Sequence, residues 1–399
     1  MPPISLNRRR FLGCSAAAGL ALGTSGADGE PAPVRLGFIG LGNRGTSLLR
    51  AALEAPAVSV SAIADLEPRH RTRAAGIVEK ATGRRPDECE SWGRVLERDD
   101  VDAVVVALPC DLHAAAYSRA IRAGKHLYAE KPLAPTLQEC DRLIAEAASA
   151  PEVVVHVGYQ RRSNPRFREI AAAIARGEIG EPLTGSAAWI SGNPPSRGQG
   201  DWLTRRERSG DWMVEQSVHV FDLFHWFLAA GPNRASGRGR RDILTHLDAE
   251  RDVTDDFQVL LFWENGFRLD FHHSRPAPPD QAFLENHLRI VGRSGGIDLA
   301  TGLVSTYDRS RGRRSILPGI QPDTQPALEA FFAACRAPEP PPPPITLAEA
   351  REATRIGLLV RAAIDHDGAT VDDRAIVESA SDPAGRAARL DRSETSKPT

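Results

Sequence analysis

The chain has 399 residues, with 50 Lys and Arg against 52 Asp and Glu, and a formal net charge of −2 at pH 7. This balance argues against nucleic acid and acidic membrane surfaces as partners, and the length predicts about two domains. The five cysteines show neither C-x-x-C spacing nor a metal-ligand pattern, so no metal site is predicted. Cys89, Cys110, Cys140 and Cys335 are expected to be small buried side chains rather than nucleophiles or disulfide partners.

The chain begins with a pattern typical of an export signal. Paired arginines within residues 7–10 precede Phe11, and an apolar run of small residues covers 14–22. This layout resembles a twin-arginine signal, and the apolar run is too short for a lasting membrane anchor. We therefore expect residues 1–33 to be a signal and linker that carry the folded protein through the twin-arginine export machinery to the periplasm. A disordered basic tail is the alternative interpretation.

A short apolar run at residues 34–45, read VRLGFIGLGNRG, ends in glycines and is followed by a helix-compatible run. This is G-x-G-x-x-G between a strand and a helix, the setting of a dinucleotide-binding loop, although a tight turn gives the same pattern. The predicted cofactor residues of the loop are Gly40, Leu41, Gly42, Asn43, Arg44 and Gly45. The next predicted strand ends in Asp65, about twenty residues on, where a carboxylate can accept from the ribose 2′-hydroxyl of NAD. Arg69 and Arg71 follow and keep NADP as an alternative.

Between Val34 and Val157 strands alternate with helices, which predicts a parallel, doubly wound sheet covered on both faces. In such a sheet ligands bind beyond the carboxyl ends of the strands. The rule therefore predicts which residues of the sequence form the candidate site. Its members beyond the glycine loop and Asp65 follow three later strands: Pro109, Glu130, Lys131, Tyr159 and Gln160. The place of Lys131 between a strand end and a proline favours a functional role over an ordinary surface lysine.

From residue 158 to 345 the pattern changes to α+β. Hairpin patterns over 257–272, with an Asn-Gly turn, and over 288–299 predict an open, mostly antiparallel sheet packed on helices. The stretch 191–210 is rich in Gly, Pro, Arg and Ser and is typical of a binding loop, in which Trp202 would cover a sugar or pack in the interior. We expect 346–378 to return to the first domain as a helix and strand, and 379–399 to be disordered.

The segment 212–228, read WMVEQSVHVFDLFHWFL, contains the second group of candidate residues. Glu215, His219 and Asp222 have the spacing i, i+4 and i+7, which places them on one face of a single helix. A carboxylate one turn before a histidine can orient the imidazole and tune its pKa. A core helix with a structural histidine is the alternative interpretation.

Together these segments resemble the Gfo/Idh/MocA oxidoreductases, which include glucose–fructose oxidoreductase and inositol dehydrogenase. The resemblance depends on the glycine motif, Asp65, and the segments VDAVVVALPCDLHAAAYSRAIRAGKHLYAEKPLA, VGYQRRSNP and SGDWMVEQSVHVFDLFHWFL. It implies an N-terminal Rossmann domain, then an α+β substrate and oligomerisation domain whose open sheet commonly pairs with a second copy of the chain.

The resemblance also implies roles for individual residues. Lys131, in Glu-Lys-Pro, would lie near the nicotinamide and the substrate, and His219 would be the general acid/base. Glu215 falls where the family has aspartate, so it would orient His219, reach the substrate, or mark altered chemistry. His113 would border the nicotinamide. Tyr159, Gln160 and Arg161 fall where the family contacts its substrate, and together with His219 and the loop residue Trp202 they are the candidate substrate contacts.

These implications predict an NAD(P)-dependent oxidoreductase that acts on a secondary alcohol of a sugar or polyol. His219 would take the hydroxyl proton while hydride leaves the same carbon, and Lys131 would stabilise the charge on the oxygen. Two alternatives stay open. Because an exported enzyme has no soluble NAD pool, tightly bound NAD would suit a glycoside hydrolase or lyase that oxidises its sugar transiently. The other alternative is a non-catalytic sugar-binding protein.

Overall fold

The computed structural model of the chain describes residues 32–192, 201–308, 310, 312–319 and 321–376. The predicted signal up to residue 31 and the predicted tail from 379 onward therefore lie outside the described residues. None of the helices that the structure describes is long and apolar enough to cross a membrane.

Six parallel strands form the first sheet and confirm the predicted doubly wound α/β fold. They are β1 (Val34–Ile39), β2 (Val58–Ala64), β3 (Asp87–Cys89), β4 (Ala103–Val106), β5 (His126–Ala129) and β6 (Val155–Val157). Their order is β3-β2-β1-β4-β5-β6, the order of a dinucleotide-binding Rossmann sheet. Strand β4 is buried along its whole length, as a central parallel strand covered on both faces should be. The edge strand β3 was not predicted.

Helices cover both faces of this sheet. They are α1 (Asn43–Glu54), α2 (Pro68–Thr82), α3 (Trp92–Leu96), α4 (Cys110–Arg122) and α5 (Leu137–Ala148). One apolar cluster joins α1 and α2 to one face of the sheet, and a second cluster joins α3, α4 and α5 to the other face. The predicted helix ends are confirmed by the left-handed Gly83 after α2 and by the cap that the Thr136 side chain provides for α5.

The rest of the chain forms a mostly antiparallel second sheet with helices on one face, which confirms the predicted α+β part. Its helices are α6 (Pro165–Ala175), α7 (Arg206–Ser209), α8 (Trp212–Glu215), α9 (Val218–Leu228), α10 (Thr324–Arg336) and α11 (Leu347–Asp365). Its strands are β7 (Pro182–Ile190), β8 (Arg234–Arg240), β9 (Asp256–Phe262), β10 (Arg268–Ser274), β11 (Glu285–Gly292), β12 (Gly295–Asp298), β13 (Leu303–Thr306), β14 (Arg313–Ser315) and β15 (Val371–Asp372). The order is β14-β13-β12-β11-β7-β10-β9-β8-β15, and among the described strands of this second sheet only the β7–β10 pair is parallel.

Both predicted hairpins are present. Strands β9 and β10 pair antiparallel, with Phe262 opposite Arg268 at the turn and Asp256 opposite Ser274 at the far end. Gly266 in the turn has φ +86°. Strands β11 and β12 form the second hairpin. The alternation of buried and exposed residues along β9 places one face of this sheet on the apolar core with α9 and α11, and leaves the other face open.

The C-terminal elements tie the two sheets together. Helix α10 packs on the first sheet, where Phe331 and Phe332 join the cluster of α1 and α2. Helix α11 contacts α5 of the first domain and α9 and β8 of the second. Strand β15 pairs with β8 of the second sheet, contrary to the expectation that it returns to the first domain. The predicted irregular stretch 191–210 contains a 3-10 turn (Asp201–Thr204) and α7, whereas residues 193–200 lie outside the described part of the chain.

Candidate active site

The glycine loop lies at the switch point of the first sheet, between β1 and β4. Gly40 has φ +84°, and a Cβ at this position would collide with the backbone carbonyl of Ala107. A Cβ at Gly45 would collide with the carbonyl of Gly40, because α1 and the loop touch backbone to backbone. A Cβ at Gly42 would meet no atom within 4 Å. Packing therefore requires glycine at positions 40 and 45, whereas Gly42 leaves the loop open to a ligand.

The beginning of α1 presents groups that fit the pyrophosphate of a dinucleotide. Gly42 is the N-cap, and no side chain of the described residues caps the helix, so its first N–H groups are available. Arg44 donates through Nε to Oε1 of Glu130 at 2.7 Å, which joins the loop to the end of β5. The buried Nη2 of Arg44 has no hydrogen-bond partner within the described residues. Asn43 is exposed at the same helix end.

Asp65 lies at the end of β2 against the glycine loop, as predicted. Its Oδ2 accepts from the N–H of Leu41 at 2.6 Å, and its Oδ1 accepts from the N–H of Glu67 at 2.9 Å. Oδ1 also lies 3.3 Å from Nδ1 of His70, whereas Oδ2 keeps a second lone pair for a hydroxyl donor, so Asp65 fits the ribose role while it holds the loop in place. Arg71 donates to the backbone carbonyl of Asp65 at 2.6 Å, which keeps a cation at this strand end, and Arg69 is exposed.

Lys131 and Glu215 form a salt bridge between the end of β5 and the end of α8. The Nζ of Lys131 donates to Oε1 of Glu215 at 2.6 Å and to its backbone carbonyl at 2.5 Å. Burial lowers the pKa of Lys131, but the Glu215 carboxylate outweighs this effect, so the pKa is raised overall and the amine stays charged. Two of its three N–H groups are used, which leaves one for a substrate oxygen.

Glu215 therefore pairs with Lys131 and not with His219, contrary to the prediction. The reason is that the expected single helix is two helices, α8 and α9, separated at Gln216 and Ser217. Asp211 has φ +73° and caps α8, and its carboxylate also accepts from the N–H of Thr254 at 2.9 Å. This long-range anchor fixes α8 separately, so the i, i+4 relation of a continuous helix does not hold.

His219 lies in the first turn of α9 and is buried. Its ring meets the ring of Tyr159 edge-on, with centroids 5.9 Å apart, and its Nδ1 has no hydrogen-bond partner within the described residues. Burial, and then the positive charges of Lys131, Arg161 and Arg44, hold the pKa of His219 well below the usual 6.5. The imidazole is therefore neutral at pH 7 and can accept a proton.

The segment after β6 contains three predicted substrate contacts, the first of which, Tyr159, touches His219. Tyr159 is buried, and Gln160 and Arg161 begin a 3-10 turn (Gln160–Ser163). The Tyr159 hydroxyl, Oε1 of Gln160 and Nη1 of Arg161 are buried and lack hydrogen-bond partners in the described part of the chain. The Arg161 guanidinium lies over the ring of Trp189, 5.1 Å from its centroid. These polar groups have unused capacity for a hydroxylated ligand.

Three other predicted residues have supporting positions. His113 is buried, with Nδ1 2.7 Å from the carbonyl of Pro132 and Nε2 2.9 Å from the carbonyl of Leu108, so it ties the loops after β4 and β5 together. Pro109 is the N-cap residue of α4. Within the described residues Trp202 makes no ring contact with His219 or any other aromatic or cationic site residue.

A buried ion pair beneath the site was missed by the sequence analysis. Arg162 donates to both oxygens of Asp222, with a shortest distance of 2.8 Å, and through Nη1 to Glu349 at 3.0 Å. Both Arg162 and Asp222 are almost fully buried. This pair fixes the turn that carries Arg161 to the helix that carries His219. Its partners lie 60 positions apart, so no local pattern could have shown it.

Two family models match the chain. One, described as an oxidoreductase family with an NAD-binding Rossmann fold, matches residues 34–159. The other, described as the GFO/IDH/MocA C-terminal domain, matches residues 167–298. Together they span the glycine loop, Lys131, Glu215 and His219.

Individual proteins are similar over most of the same region. A dTDP-3,4-didehydro-2,6-dideoxy-alpha-D-glucose 3-reductase of Actinomadura kijaniata is 34% identical over 59% of this chain and 66% of the relative's length. An inositol 2-dehydrogenase of Saccharopolyspora erythraea is 28% identical over 75% of this chain and 85% of the relative. The crystal structure of KijD10, a 3-ketoreductase from Actinomadura kijaniata in complex with NADP and TDP-benzene, has a TM-score of 0.67 at 24% identity, covering 83% and 98% of the two chains.

Proposed function

The chain belongs to the Gfo/Idh/MocA oxidoreductase family, and on this premise we propose that it transfers hydride between NAD(P) and a secondary alcohol, or the matching ketone, of a sugar or polyol. The named relatives, a sugar 3-reductase and an inositol dehydrogenase, support this class of substrate. The matched region covers 66% of the length of the 3-reductase, so we do not assign the substrate of that relative to this chain.

One observation carries the proposal. The glycine loop, with open space at Gly42, lies at the same edge of the first sheet as a charged Lys131 that has one free N–H, and the neutral His219 of α9 contacts Tyr159, which follows β6 at that edge. Hydride transfer from an alcohol requires a proton acceptor for the hydroxyl and a donor for the developing oxyanion, next to a nucleotide. The chain supplies each of these groups at one site.

Each residue has a separate task in this account. NAD(P), when bound, supplies the hydride acceptor or donor. His219 holds the alcohol proton, because its buried imidazole is neutral and its Nδ1 is unpaired within the described residues. Lys131 donates its remaining N–H to the same oxygen. Glu215 is a positioning residue that keeps the amine charged and limits its rotation. Tyr159 and Gln160 offer hydrogen bonds to other hydroxyls.

We also propose that the protein carries its nucleotide through the twin-arginine route and works in the periplasm as a homo-oligomer. The sequence Arg8-Arg9-Arg10-Phe11-Leu12 supports the route, and the uncovered outer face of the second sheet supports association with a second copy. Replacing Arg8 and Arg9 by Lys should leave the chain in the cytoplasmic fraction. Export of this variant at the normal level would contradict the proposed route.

The function is tested with the purified protein in two steps. Denaturation followed by assay of released NAD(H) and NADP(H) identifies any retained cofactor. Native protein is then incubated with added NAD or NADP and a panel of inositols, aldoses and glycosides. Reduced nicotinamide that accumulates with a polyol or free sugar supports the proposed dehydrogenase. Glycoside cleavage without net reduction, together with stoichiometric retained NAD, would replace it by the hydrolase or lyase alternative. A protein that neither contains nor binds either nucleotide would overturn both.

A further inference from the structure

Lys131 contacts Glu215 at two atoms, and one of them is a backbone carbonyl that a continuous helix would use internally. In an α-helix the carbonyl of Glu215 would accept from the N–H of His219, four residues on. Here the N–H of His219 donates to the carbonyl of Gln216 at 3.2 Å instead. The carbonyl of Glu215 is thereby released and accepts from Nζ of Lys131 at 2.5 Å. The break between α8 and α9 therefore creates one of the two acceptors that hold the Lys131 amine.

The same break determines which residue the Glu215 carboxylate contacts. On one continuous helix the positions i and i+4 share a face, so this carboxylate and the imidazole of His219 would be neighbours. In the structure Oε1 of Glu215 lies 2.6 Å from Nζ of Lys131, and Nδ1 of His219 has no hydrogen-bond partner among the described residues. Both acceptors of Glu215 therefore serve the lysine.

The start of α8 is held by a buried carboxylate. Oδ1 of Asp211 accepts from the N–H of Trp212 at 2.8 Å and from the N–H of Thr254 at 2.9 Å, and Oδ2 accepts from the Thr254 hydroxyl at 2.9 Å. Asp211 and Thr254 are both fully buried. A carboxylate withdrawn from water depends on such hydrogen bonds. Since Thr254 comes just before β9, this contact fixes α8 to the second sheet and not to α9.

Helix α11 holds α8 from another direction. A Cβ at Gly357 would lie 2.8 Å from the carbonyl of Met213, so the backbones of the two helices approach closely there. A helix as short as α8, Trp212–Glu215, has little stability of its own. Its contacts with Thr254 and with Gly357 therefore determine where it lies.

From these contacts we propose that Asp211 and Thr254 are positioning residues for the reaction, because they maintain the break between α8 and α9 and thereby assign Glu215 to Lys131 rather than to His219. This inference rests on the proposed function, in which Lys131 keeps its proton while His219 accepts one. It adds two residues that act on the reacting groups only through Glu215.

The test follows the titration of Lys131 and does not depend on turnover. Burial lowers the pKa of Lys131 and Glu215 raises it, so displacement of Glu215 should lower this pKa. The chain has four lysines, so in full-length protein labelled with 13C-lysine the NMR signal of Lys131 is identified by its absence in Lys131→Met. Thr254→Val removes the hydroxyl donor and keeps a branched side chain of similar shape. We expect the titration midpoint of Lys131 to fall by about 1 pH unit or more in this variant.

Glu215→Gln supplies the reference for this shift. It should lower the midpoint in the same direction, and adding Thr254→Val to it should cause no further shift, because both changes act through one carboxylate. Cys110 and Glu130 also act on the Lys131 amine, and both are unchanged in these variants. With a substrate that is turned over, kcat of Thr254→Val should fall about 10- to 100-fold, and the decline of kcat at alkaline pH should move to lower pH.

Two controls separate positioning from general destabilisation. Thr254→Ser keeps the hydroxyl and should restore the midpoint of the wild type. Thr354→Val removes another buried threonine hydroxyl, which donates to the carbonyl of Ala134 at 3.3 Å, and should leave the midpoint unchanged. Gly357→Ala presses on the carbonyl of Met213 and displaces α8 without altering Asp211 or Thr254, so it should lower the midpoint and tests the inference even where Thr254→Val does not fold.

A wild-type midpoint in folded Thr254→Val or in folded Gly357→Ala would overturn the inference. An equal shift in Thr354→Val would also overturn it, since any loss of stability would then move the lysine. The expected shifts in a protein that reduces no nucleotide with any substrate would leave the assignment of Glu215 standing and contradict the proposed redox function instead.

Discussion

The glycine edge of the first sheet and the pocket around His219 are built in different ways. At the glycine edge, close backbone contacts determine the shape, since a Cβ at Gly40 would collide with the carbonyl of Ala107 and a Cβ at Gly45 with the carbonyl of Gly40. In the pocket the decisive pairs are remote, because Lys131 and Glu215 lie 84 positions apart and Arg162 and Asp222 lie 60 apart. Backbone sterics therefore shape the cofactor edge, whereas ion pairs between remote side chains create the pocket.

The largest expected effect is on turnover in the pocket. His219→Ala and Lys131→Met should each lower kcat by about 10²- to 10⁴-fold, because each removes a proton acceptor or donor at the reacting oxygen. Both variants should bind NAD(P) like the wild type. Exposed His246→Ala and Lys80→Met are the matched controls.

Because the pKa of His219 is depressed, its neutral form persists as the pH falls, so kcat/KM of the wild type should decline only below about pH 6.5. An acid limb well above that pH would contradict the described burial of His219.

The next largest effect should be on the stability of the pocket. Arg162→Met leaves the buried Asp222 carboxylate without its main partner, and breaking such a pair typically costs about 3–5 kcal/mol. The midpoint of urea unfolding should fall accordingly. Arg162→Met combined with Asp222→Leu should be less destabilised than Arg162→Met alone, since no charge is then left unpaired. An equal decrease of the unfolding midpoint in the single and double variants would mean that side-chain packing, rather than the ion pair, stabilises the turn that contains Arg162.

At the glycine edge the expected effect is steric. Gly45→Ala places a methyl group against the carbonyl of Gly40, so it should lower stability by about 1–3 kcal/mol and weaken nucleotide binding. Gly76→Ala in α2 meets no atom within 4 Å and should be neutral or stabilise the protein by up to about 1 kcal/mol. Similar melting temperatures for the two variants would contradict the described packing of α1 on the loop.

The smallest expected effect concerns the helix that joins the two sheets. The Thr346 side chain accepts from the N–H of Glu349 at the start of α11, in a complete capping box. Thr346→Ala should cost about 1 kcal/mol in thermal unfolding. Thr370→Ala, at an exposed position after the helix, is the matched control. A cost above that of Arg162→Met would show that α11, rather than the buried ion pair, dominates the contact between the domains.

The same contrast explains what could be predicted from the sequence. The parallel strands and their helices were predictable because buried apolar runs and capping residues such as Thr136 are local signals. The rule that ligands bind at the carboxyl ends of parallel strands predicted the position of Lys131 at the end of β5. The break between α8 and α9 was not predictable, because Asp211 anchors α8 to Thr254 rather than to a neighbour in sequence. The partner of Glu215 was missed for the same reason, and so was the strand β15 that pairs with β8.

The most direct test of the account is a nucleotide titration that separates the two regions. Gly42 has a negative φ of −63°, and a Cβ there meets no protein atom within 4 Å, so Gly42→Val should fold and place its side chain in the open space of the loop. Binding of NAD and NADP, followed by quenching of tryptophan fluorescence, should be lost in Gly42→Val and unchanged in Lys131→Met. Wild-type affinity in a folded Gly42→Val would contradict the assignment of the glycine loop as the cofactor site.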